Sequence, residues 1–138
     1  MLLGIGVDLL QLPRLRALLS RRPPHQLASR ILSQPELDQF QTDALARDPT
    51  KVEKYLALRW TAKEAAYKAL YPHYRMTWKD LVVSKRDKKP QLDFSQPFLS
   101  QNRNLDDIKM HLSISHDGDM MVAYVVAEKD RERERNLG

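Results

Sequence analysis

The feature that most constrains the fold is a long helical pattern from about Lys51 to Leu70. Helix breakers bound it, since Asp48-Pro49-Thr50 precedes it and Tyr71-Pro72 follows it. The apolar positions recur at helical spacing and are mostly small: Tyr55, Leu58, Ala62, Ala65, Ala66 and Ala69. Because alanine lets two backbones approach closely, this stripe predicts a helix packed tightly against a neighbouring element.

Shorter elements surround this helix. Residues 2–9 form a mostly apolar strand that we expect to end near Asp8, and the spacing of leucines predicts a helix over 9–19. A short helix over about 25–32 and a helix cap at Ser33-Gln34-Pro35-Glu36 follow. The pattern then changes to strands at 81–84, 91–94, 110–114 and 121–126, with a short helix or irregular link over 95–109. This order predicts the α+β class, with the long helix packed on an antiparallel sheet.

Size and composition set the outer limits. The 138 residues fit one domain, which we assign to residues 1–127, followed by a charged, frayed tail over 128–138. No run approaches the roughly 20 apolar residues of a membrane span, and no secretory signal pattern is present. The chain has no cysteine, so any metal must be held by oxygen or imidazole.

The formal net charge is +5, with a sequence pI of about 9.6. Such a charge favours anionic partners, namely nucleic acid, phosphorylated cofactors, acidic proteins or anionic lipid, without choosing among them. Part of the charge lies in arginines 14, 16, 21 and 22, which form either a solvated helix face or a docking strip for an acidic surface. Contacts to an RNA backbone are a third reading, but no RNA-binding sequence pattern supports it.

Three segments carry residues suited to chemistry. Glu64 and Lys68 stand four residues apart on one helix face, where an ordinary surface ion pair is the simplest reading. The neighbouring alanines place the pair close to a buried stripe, where a carboxylate needs a partner such as a cation. Asp8 follows Gly4-Ile5-Gly6-Val7 and is either a turn or helix-cap residue or a metal ligand. The glycines there permit close approach of backbone or ligand.

The third segment is Ser113-Ile114-Ser115-His116-Asp117-Gly118-Asp119, which predicts a hairpin turn through Asp-Gly. At this turn Ser115 and His116 are candidate phosphate or base contacts. The four histidines, at 25, 73, 111 and 116, show no zinc-site spacing.

Taken together, these segments resemble the 4′-phosphopantetheinyl transferase superfamily, and its small holo-acyl-carrier-protein synthase branch in particular. That family has a glycine-rich opening ending in Asp, then Trp/Phe-x-x-Lys-Glu-Ala-x-x-Lys-Ala, then Ser-x-Ser/Thr-His. In this chain the three motifs are Gly4–Asp8, Trp60–Ala69 and Ser113–His116. Arg30-Ile31-Leu32-Ser33 matches a further family block, and the resemblance spans residues 1 to about 127.

The resemblance implies transfer of 4′-phosphopantetheine from coenzyme A to a serine of apo acyl carrier protein, in fatty acid synthesis. It implies Mg²⁺ bound by Asp8 and Glu64, with Lys68 on the diphosphate as a catalytic residue. Cofactor-binding roles carry over to Arg59, Ser115 and His116. Arg14 matches the arginine that contacts the acidic helix of the carrier protein, and Arg21 and Arg22 are its neighbours.

The chain departs from bacterial relatives at two places. Tyr71-Pro72-His73-Tyr74-Arg75 stands where they have a glycine-rich loop, so His73 and Arg75 are expected to supply cationic contacts to the cofactor. Lys88-Lys89-Pro90 replaces a Gly-Lys-Pro-like turn, and Pro90 is assigned to cofactor binding. The first departure resembles eukaryotic organellar members, which favours the mitochondrial matrix, with the cytoplasm as the alternative location.

Small members of this branch form homotrimers, so the resemblance implies active sites between subunits, with the Asp8/Glu64 side and the His116 side on different chains. We expect no nucleic-acid or membrane partner. Two rival functions stay open at this point. One is a non-catalytic basic domain that binds RNA or an acidic protein, and the other is a different coenzyme A or nucleotide phosphotransferase.

Overall fold

A long helix lying across an antiparallel sheet dominates the computed structural model, which describes residues 1–42, 45 and 47–130. The helices are α1 (Leu12–Arg21), α2 (Pro24–Ile31), α3 (Gln34–Phe40), α4 (Pro49–Leu70) and α5 (Gln96–Gln101). The strands are β1 (Leu2–Gln11), β2 (Leu81–Arg86), β3 (Lys89–Phe94), β4 (Ile108–Asp117) and β5 (Met120–Lys129). Short 3-10 turns lie at Trp78–Asp80 and Arg103–Leu105. The predicted α+β architecture, with the long helix on an antiparallel sheet, is confirmed.

The main sheet has the order β1-β5-β4, and both pairings are antiparallel. Along β1 the side chains alternate between its two faces. Gly4, Gly6 and Asp8 face α4, whereas Ile5, Val7 and Leu9 point outward into solvent. The alternation therefore puts the glycines and the aspartate of the N-terminal motif on one side, toward the helix.

Contact between β1 and α4 explains both the glycines and the alanine stripe. A Cβ added to Gly6 would lie 1.8 Å from the carbonyl oxygen of Ala65, and one added to Gly4 would lie 2.1 Å from that of Ala69. Ala62, Ala65, Ala66 and Ala69 are at most 1% exposed. The predicted close neighbour of the stripe is therefore the backbone of β1, and the glycines admit the helix rather than a ligand.

β1 begins where predicted but ends later, and α1 both begins and ends later than predicted. β1 runs through Gln11 instead of ending near Asp8, and α1 begins at Leu12 instead of Leu9. The reason is that pairing with β5 continues to Gln11 opposite Met120, and the Leu12 amide then donates to the Asp119 carbonyl at 2.8 Å. Asp8 therefore lies inside a strand, and the helix-cap reading of it is wrong.

The other boundaries agree more closely with the sequence patterns. The cap at Ser33 and Glu36 is a capping box, and the Asp-Gly hairpin turn forms between β4 and β5, with Gly118 at φ +54°. β2 and β3 form a separate two-stranded sheet. β5 extends through Lys129, so it includes the first two residues of the predicted tail, while residues 131–138 lie outside the described part of the chain. Within that described part, no helix is both long and apolar enough to cross a membrane.

Candidate active site

Asp8, Glu64 and Lys68 meet where β1 crosses α4. The Lys68 ammonium donates to the Val7 carbonyl oxygen at 2.9 Å and to Asp8 Oδ1 at 3.2 Å. Two local patterns bring them together. The strand period of two puts Asp8 on the face that the glycines press against α4, and the helical spacing puts Glu64 and Lys68 one turn apart on the same side.

Lys68 forms its ion pair with Asp8 on the strand and not with Glu64 on its own helix. The reading of Glu64 and Lys68 as an ordinary surface pair is therefore wrong. The Lys68 side chain is half exposed and the Asp8 side chain is 16% exposed, so the ammonium lies at the mouth of the site. There it remains accessible to an anionic group from solvent.

Burial raises the pKa of Glu64 above its ordinary value, the nearby charge of Asp8 raises it further, and Lys68 partly opposes both. Asp8 and Glu64 together place negative charge at this point, and the single Lys68 neutralises it only in part. A cation that bound there would offset that charge. The site therefore has an excess of negative charge that favours binding of a cation.

The donor set fits a hard divalent ion. Mg²⁺ in proteins takes one or two carboxylates and completes its octahedron with water and substrate phosphate oxygens. Asp8 and Glu64 are such a pair of carboxylates. Within the described residues, no group of three or more His, Asp or Glu side chains is arranged to hold a metal.

Arg59 and His116 lie elsewhere, along a groove of about 710 Å³ between α4, β2 and the end of β4. Lysines also line it: Lys51, Lys54 and Lys85. Arg59 is only 4% exposed, its guanidinium carbon lies 3.4 Å from the centroid of the Tyr55 ring, and its Nε forms an ion pair with Glu36 Oε2 at 3.5 Å. Burial lowers the pKa of Arg59. Cationic side chains therefore dominate the groove, and Arg59 is already paired with Glu36 at its buried wall.

Within one protomer, the structure does not bring all the predicted cofactor residues together. Ser115 and His116 alternate on β4, so Ser115 points to the outer face of the sheet while His116 points into the groove. His73 and Arg75 are exposed on the segment after α4, and Pro90 is half-buried on β3 opposite Lys85. These assignments stay predictions.

The docking strip remains open to solvent. Arg14, Arg21 and Arg22 are exposed and, among the described residues, form no ion pair. Arg16 differs, because its guanidinium holds both carboxylate oxygens of Glu53 at 2.9 and 3.0 Å. Arg16 therefore contributes less free positive charge than its neighbours.

One buried polar cluster was missed by the sequence reasoning. Glu36 is 2% exposed and accepts hydrogen bonds from the Ser33 and Val83 amides, each at 2.9 Å. It also pairs with Lys63, whose ammonium donates to the Ile31 carbonyl at 2.7 Å and to the Trp78 carbonyl at 2.9 Å. The capping signal revealed Glu36, but nothing in the sequence revealed its partner 27 residues away. The cluster anchors α4 one residue before Glu64.

Comparison with known proteins decides the family. The sequence profile of the 4′-phosphopantetheinyl transferase superfamily matches residues 4–125. The chain belongs to this superfamily. It is 34% identical to the holo-[acyl-carrier-protein] synthase of Micrococcus luteus over 139 aligned residues, covering 99% of each chain. The resemblance inferred from the three motifs is thereby confirmed.

Solved structures of the superfamily agree with the fold. The holo-[acyl-carrier-protein] synthase of Neisseria meningitidis superposes with a TM-score of 0.76 at 29% identity, over 94% of this chain and all of that one. A synthase from Bacillus anthracis, solved in complex with CoA (3′,5′-ADP), has a TM-score of 0.71 at 29% identity, over 94% of this chain and 99% of that one. These likenesses extend over nearly the whole transferase.

Proposed function

We propose that this transferase moves 4′-phosphopantetheine from coenzyme A to a serine hydroxyl of apo acyl carrier protein. The products are holo carrier protein and adenosine 3′,5′-bisphosphate, and the role is in fatty acid synthesis. One observation carries the proposal, namely that Asp8, Glu64 and Lys68 meet at the β1–α4 crossing. It is supported by relatives named holo-[acyl-carrier-protein] synthase and by the coenzyme A complex of one of them.

The residues divide the chemistry between them. The serine oxygen forms a bond to the phosphorus that carries pantetheine and releases its proton to solvent, and the bond from that phosphorus to the bridging oxygen of the diphosphate breaks. Lys68 donates hydrogen bonds to the diphosphate and offsets the charge that grows on the leaving bisphosphate. Asp8 and Glu64 would hold Mg²⁺, which supplies charge neutralisation to the diphosphate oxygens.

The nucleotide end of coenzyme A is assigned to the cationic groove. Its phosphates suit the exposed lysines at 51, 54 and 85 and His116, with Arg59 on the buried wall of the groove. Among the described residues of one protomer, the groove and the Glu64 site have no lining residue in common. This separation supports an active site assembled from two subunits.

The outer face of the sheet supports a homotrimer. Four large apolar side chains are exposed there: Ile5, Val7, Leu9 and Tyr124, between 43% and 63%. Val7 and Tyr124 are direct partners across the β1–β5 pairing, so the patch is continuous. Contiguous exposed apolar surface of this kind marks an interaction site. Copies of the same chain are the occupants that we propose.

The acidic carrier protein would dock on Arg14, Arg21 and Arg22, on and just after α1, whose charges have no ion-pair partner in the described part of the chain. Complementary charge of this kind raises the rate of encounter. For location we propose the mitochondrial matrix over the cytoplasm, on the strength of the segment Tyr71–Arg75. A fluorescent fusion of the full-length gene product that stays outside mitochondria would overturn that assignment.

The deciding experiment measures intact mass of an apo carrier protein incubated with coenzyme A. We expect a mass gain of one phosphopantetheine group with Mg²⁺, and none with EDTA. Asp8→Ala and Glu64→Ala should lose turnover while keeping the fold by circular dichroism. The rival basic binding domain predicts no mass gain, with binding that falls steeply with salt and ignores Glu64→Ala. Activity toward an acceptor other than a carrier protein would favour the other phosphotransferases.

A further inference from the structure

The C-terminal end of α4 has an exposed aromatic surface to which the proposed reaction assigns no role. Tyr67 and Tyr71 lie one turn apart and are 39% and 48% exposed. Their ring centroids are 5.8 Å apart at an interplanar angle of 24°, and the Arg75 guanidinium lies 5.8 Å from the Tyr71 centroid. We call Tyr67, Tyr71 and Arg75 the tyrosine ladder. It presents stacked aromatic faces to solvent instead of burying them.

The tyrosine ladder adjoins the site that would hold the diphosphate. Tyr67 and Glu64 line the same pocket, of about 200 Å³, whose other walls include Met76 and Trp78. Tyr71 also lies one turn from Lys68, on the neighbouring helix face. A molecule whose diphosphate bound Lys68 would therefore have the ladder and the pocket directly beside it.

We propose that the tyrosine ladder and this pocket bind the pantetheine arm of coenzyme A; this inference rests on the proposed function. The arm is an uncharged chain with a dimethyl-substituted carbon, a hydroxyl and two planar amides, and its methyl groups and amide planes pack on aromatic faces and apolar walls. The pocket is smaller than the 300–1,000 Å³ or so of sites that enclose whole drug-sized ligands. It therefore suits a segment of a chain that continues onto the ladder.

The two ends of coenzyme A differ in charge, so they suit different sites on the protein. The groove near Arg59 is lined by three lysines and suits the phosphorylated nucleotide. The pocket beside Tyr67 contains the Glu64 carboxylate, which would repel a phosphate unless a cation intervened. Lys63 also lines it, but its ammonium is buried and paired with Glu36, and the other walls are mostly apolar. The neutral arm is the part of coenzyme A that loses the least solvation free energy on entering this pocket.

The test compares two ligands that differ by the phosphopantetheine group, that is, by the arm and the phosphate that carries it. Isothermal titration with Mg²⁺ would measure affinity for coenzyme A and for adenosine 3′,5′-bisphosphate, which lacks pantetheine. Tyr67→Ala/Tyr71→Ala should lose about fivefold in affinity for coenzyme A, in line with the modest energies of aromatic contacts. Its affinity for the bisphosphate should not change. The matched control, Tyr67→Phe/Tyr71→Phe, keeps the rings and should bind both ligands like the wild type.

Several results would overturn the inference. Equal loss for both ligands would assign the tyrosine ladder to the nucleotide, and unchanged affinity for both would leave it without a role in coenzyme A binding. A rise confined to the KM for the carrier protein would make it part of the protein interface. If the wild type transfers the group and the alanine variant binds coenzyme A normally, only the role of the tyrosine ladder is refuted. If the wild type binds no coenzyme A, the proposed function is refuted as well. Single Tyr71→Ala replaces the double variant if the latter unfolds.

Discussion

At the scale of single residues, Glu64 has a charge that its surroundings disfavour. Because burial and Asp8 raise its pKa, the folded chain holds the Glu64 proton more tightly than the unfolded chain, whose value is near 4.5. The contribution of this group to stability is therefore greatest below pH 4.5 and falls as pH rises through the higher folded-state pKa. At neutral pH the ionised carboxylate is a cost.

Glu64→Gln should consequently raise the Tm of the metal-free protein at neutral pH, on the order of 1–2 °C for a domain of this size. The same variant should lose both transfer and the stabilisation that Mg²⁺ gives the wild type. Differential scanning fluorimetry with and without EDTA measures both. Glu53→Gln on the same helix is the control, since Glu53 is paired with Arg16 and its loss should not raise the Tm. A lower Tm for Glu64→Gln in EDTA would contradict this account.

Substitutions in the Glu36–Lys63 pair should lower stability, whereas Glu64→Gln should raise it. Each residue is 2% exposed, so removing one charge leaves the other buried without its main partner, and only Arg59, 3.5 Å from Glu36 Oε2, offsets the loss of Lys63. We expect Glu36→Gln or Lys63→Met to lower the free energy of unfolding by about 3–5 kcal/mol. The double variant should lose clearly less than the sum of the two. Urea titration measures all three, and additive losses would show that the charges are not coupled.

The positions of the two carboxylates, Asp8 and Glu64, could not be predicted equally well from the sequence. Glu64 could be assigned because helical spacing fixes which residues share its face. Asp8 could not be placed from its own neighbours, since Gly-Val-Asp suits a turn as well as a strand. Its strand position follows from pairing with Ala123, 115 residues away along the chain. From the sequence, only the family resemblance assigned Asp8 and Glu64 to one site.

At the scale of elements, the site depends on how closely β1 approaches α4. Gly6→Ala would put a methyl group against the Ala65 carbonyl and force the strand away. We expect a loss of about 2–4 kcal/mol, at or above the usual range for overpacking. Since Asp8 is two residues further along the same face, the Asp8–Lys68 contact should also be lost.

Gly118→Ala supplies the control for that experiment. A Cβ at Gly118 meets nothing within 4 Å, but its φ of +54° strains any other residue, at a cost of about 1–2 kcal/mol. Transfer assayed at a temperature where both variants are folded should fall sharply for Gly6→Ala and little for Gly118→Ala. Equal activities would show that the spacing between strand and helix does not position Asp8.

Periodicity predicted the elements well and their junctions less well. The alanine stripe predicted close packing of α4 because only small side chains allow it. The junction of β1 and α1 was misplaced, since Leu9 fits the leucine spacing of the helix but lies on the outer face of the strand. There the hydrogen bonds to β5 outweigh the local helical pattern, and no local signal carries that information.

For the whole molecule, charge should control encounter with the carrier protein. Arg14→Glu should raise the KM for the carrier about tenfold at low salt with little change in kcat, because rim charges act mainly on association. The difference from the wild type should shrink as salt is added. Lys109→Glu makes the same charge change on β4, away from the strip, and should have a small effect. Similar losses in both variants would indicate that net charge, rather than the strip, attracts the carrier.

The apolar outer face predicts that the assembly fails when a charge is placed in it. Val7→Asp puts a carboxylate opposite Tyr124 in the middle of the patch, where desolvation is most costly. We expect a trimer for the wild type and a monomer for Val7→Asp by sedimentation velocity. Val7→Thr, which keeps the shape of valine, should remain largely assembled. A monomeric wild type would contradict the proposed assembly.

Assembly and catalysis can be linked by complementation. If each active site takes Glu64 from one subunit and His116 from its neighbour, Glu64→Ala and His116→Ala should each be inactive alone. Subunits mixed and exchanged in equal amounts should then recover activity, because about one quarter of the interfaces receive both intact halves. If each site lies within one protomer, every protomer in the mixture carries a defect and no activity returns. The separation of Glu64 and His116 into different cavities favours recovery.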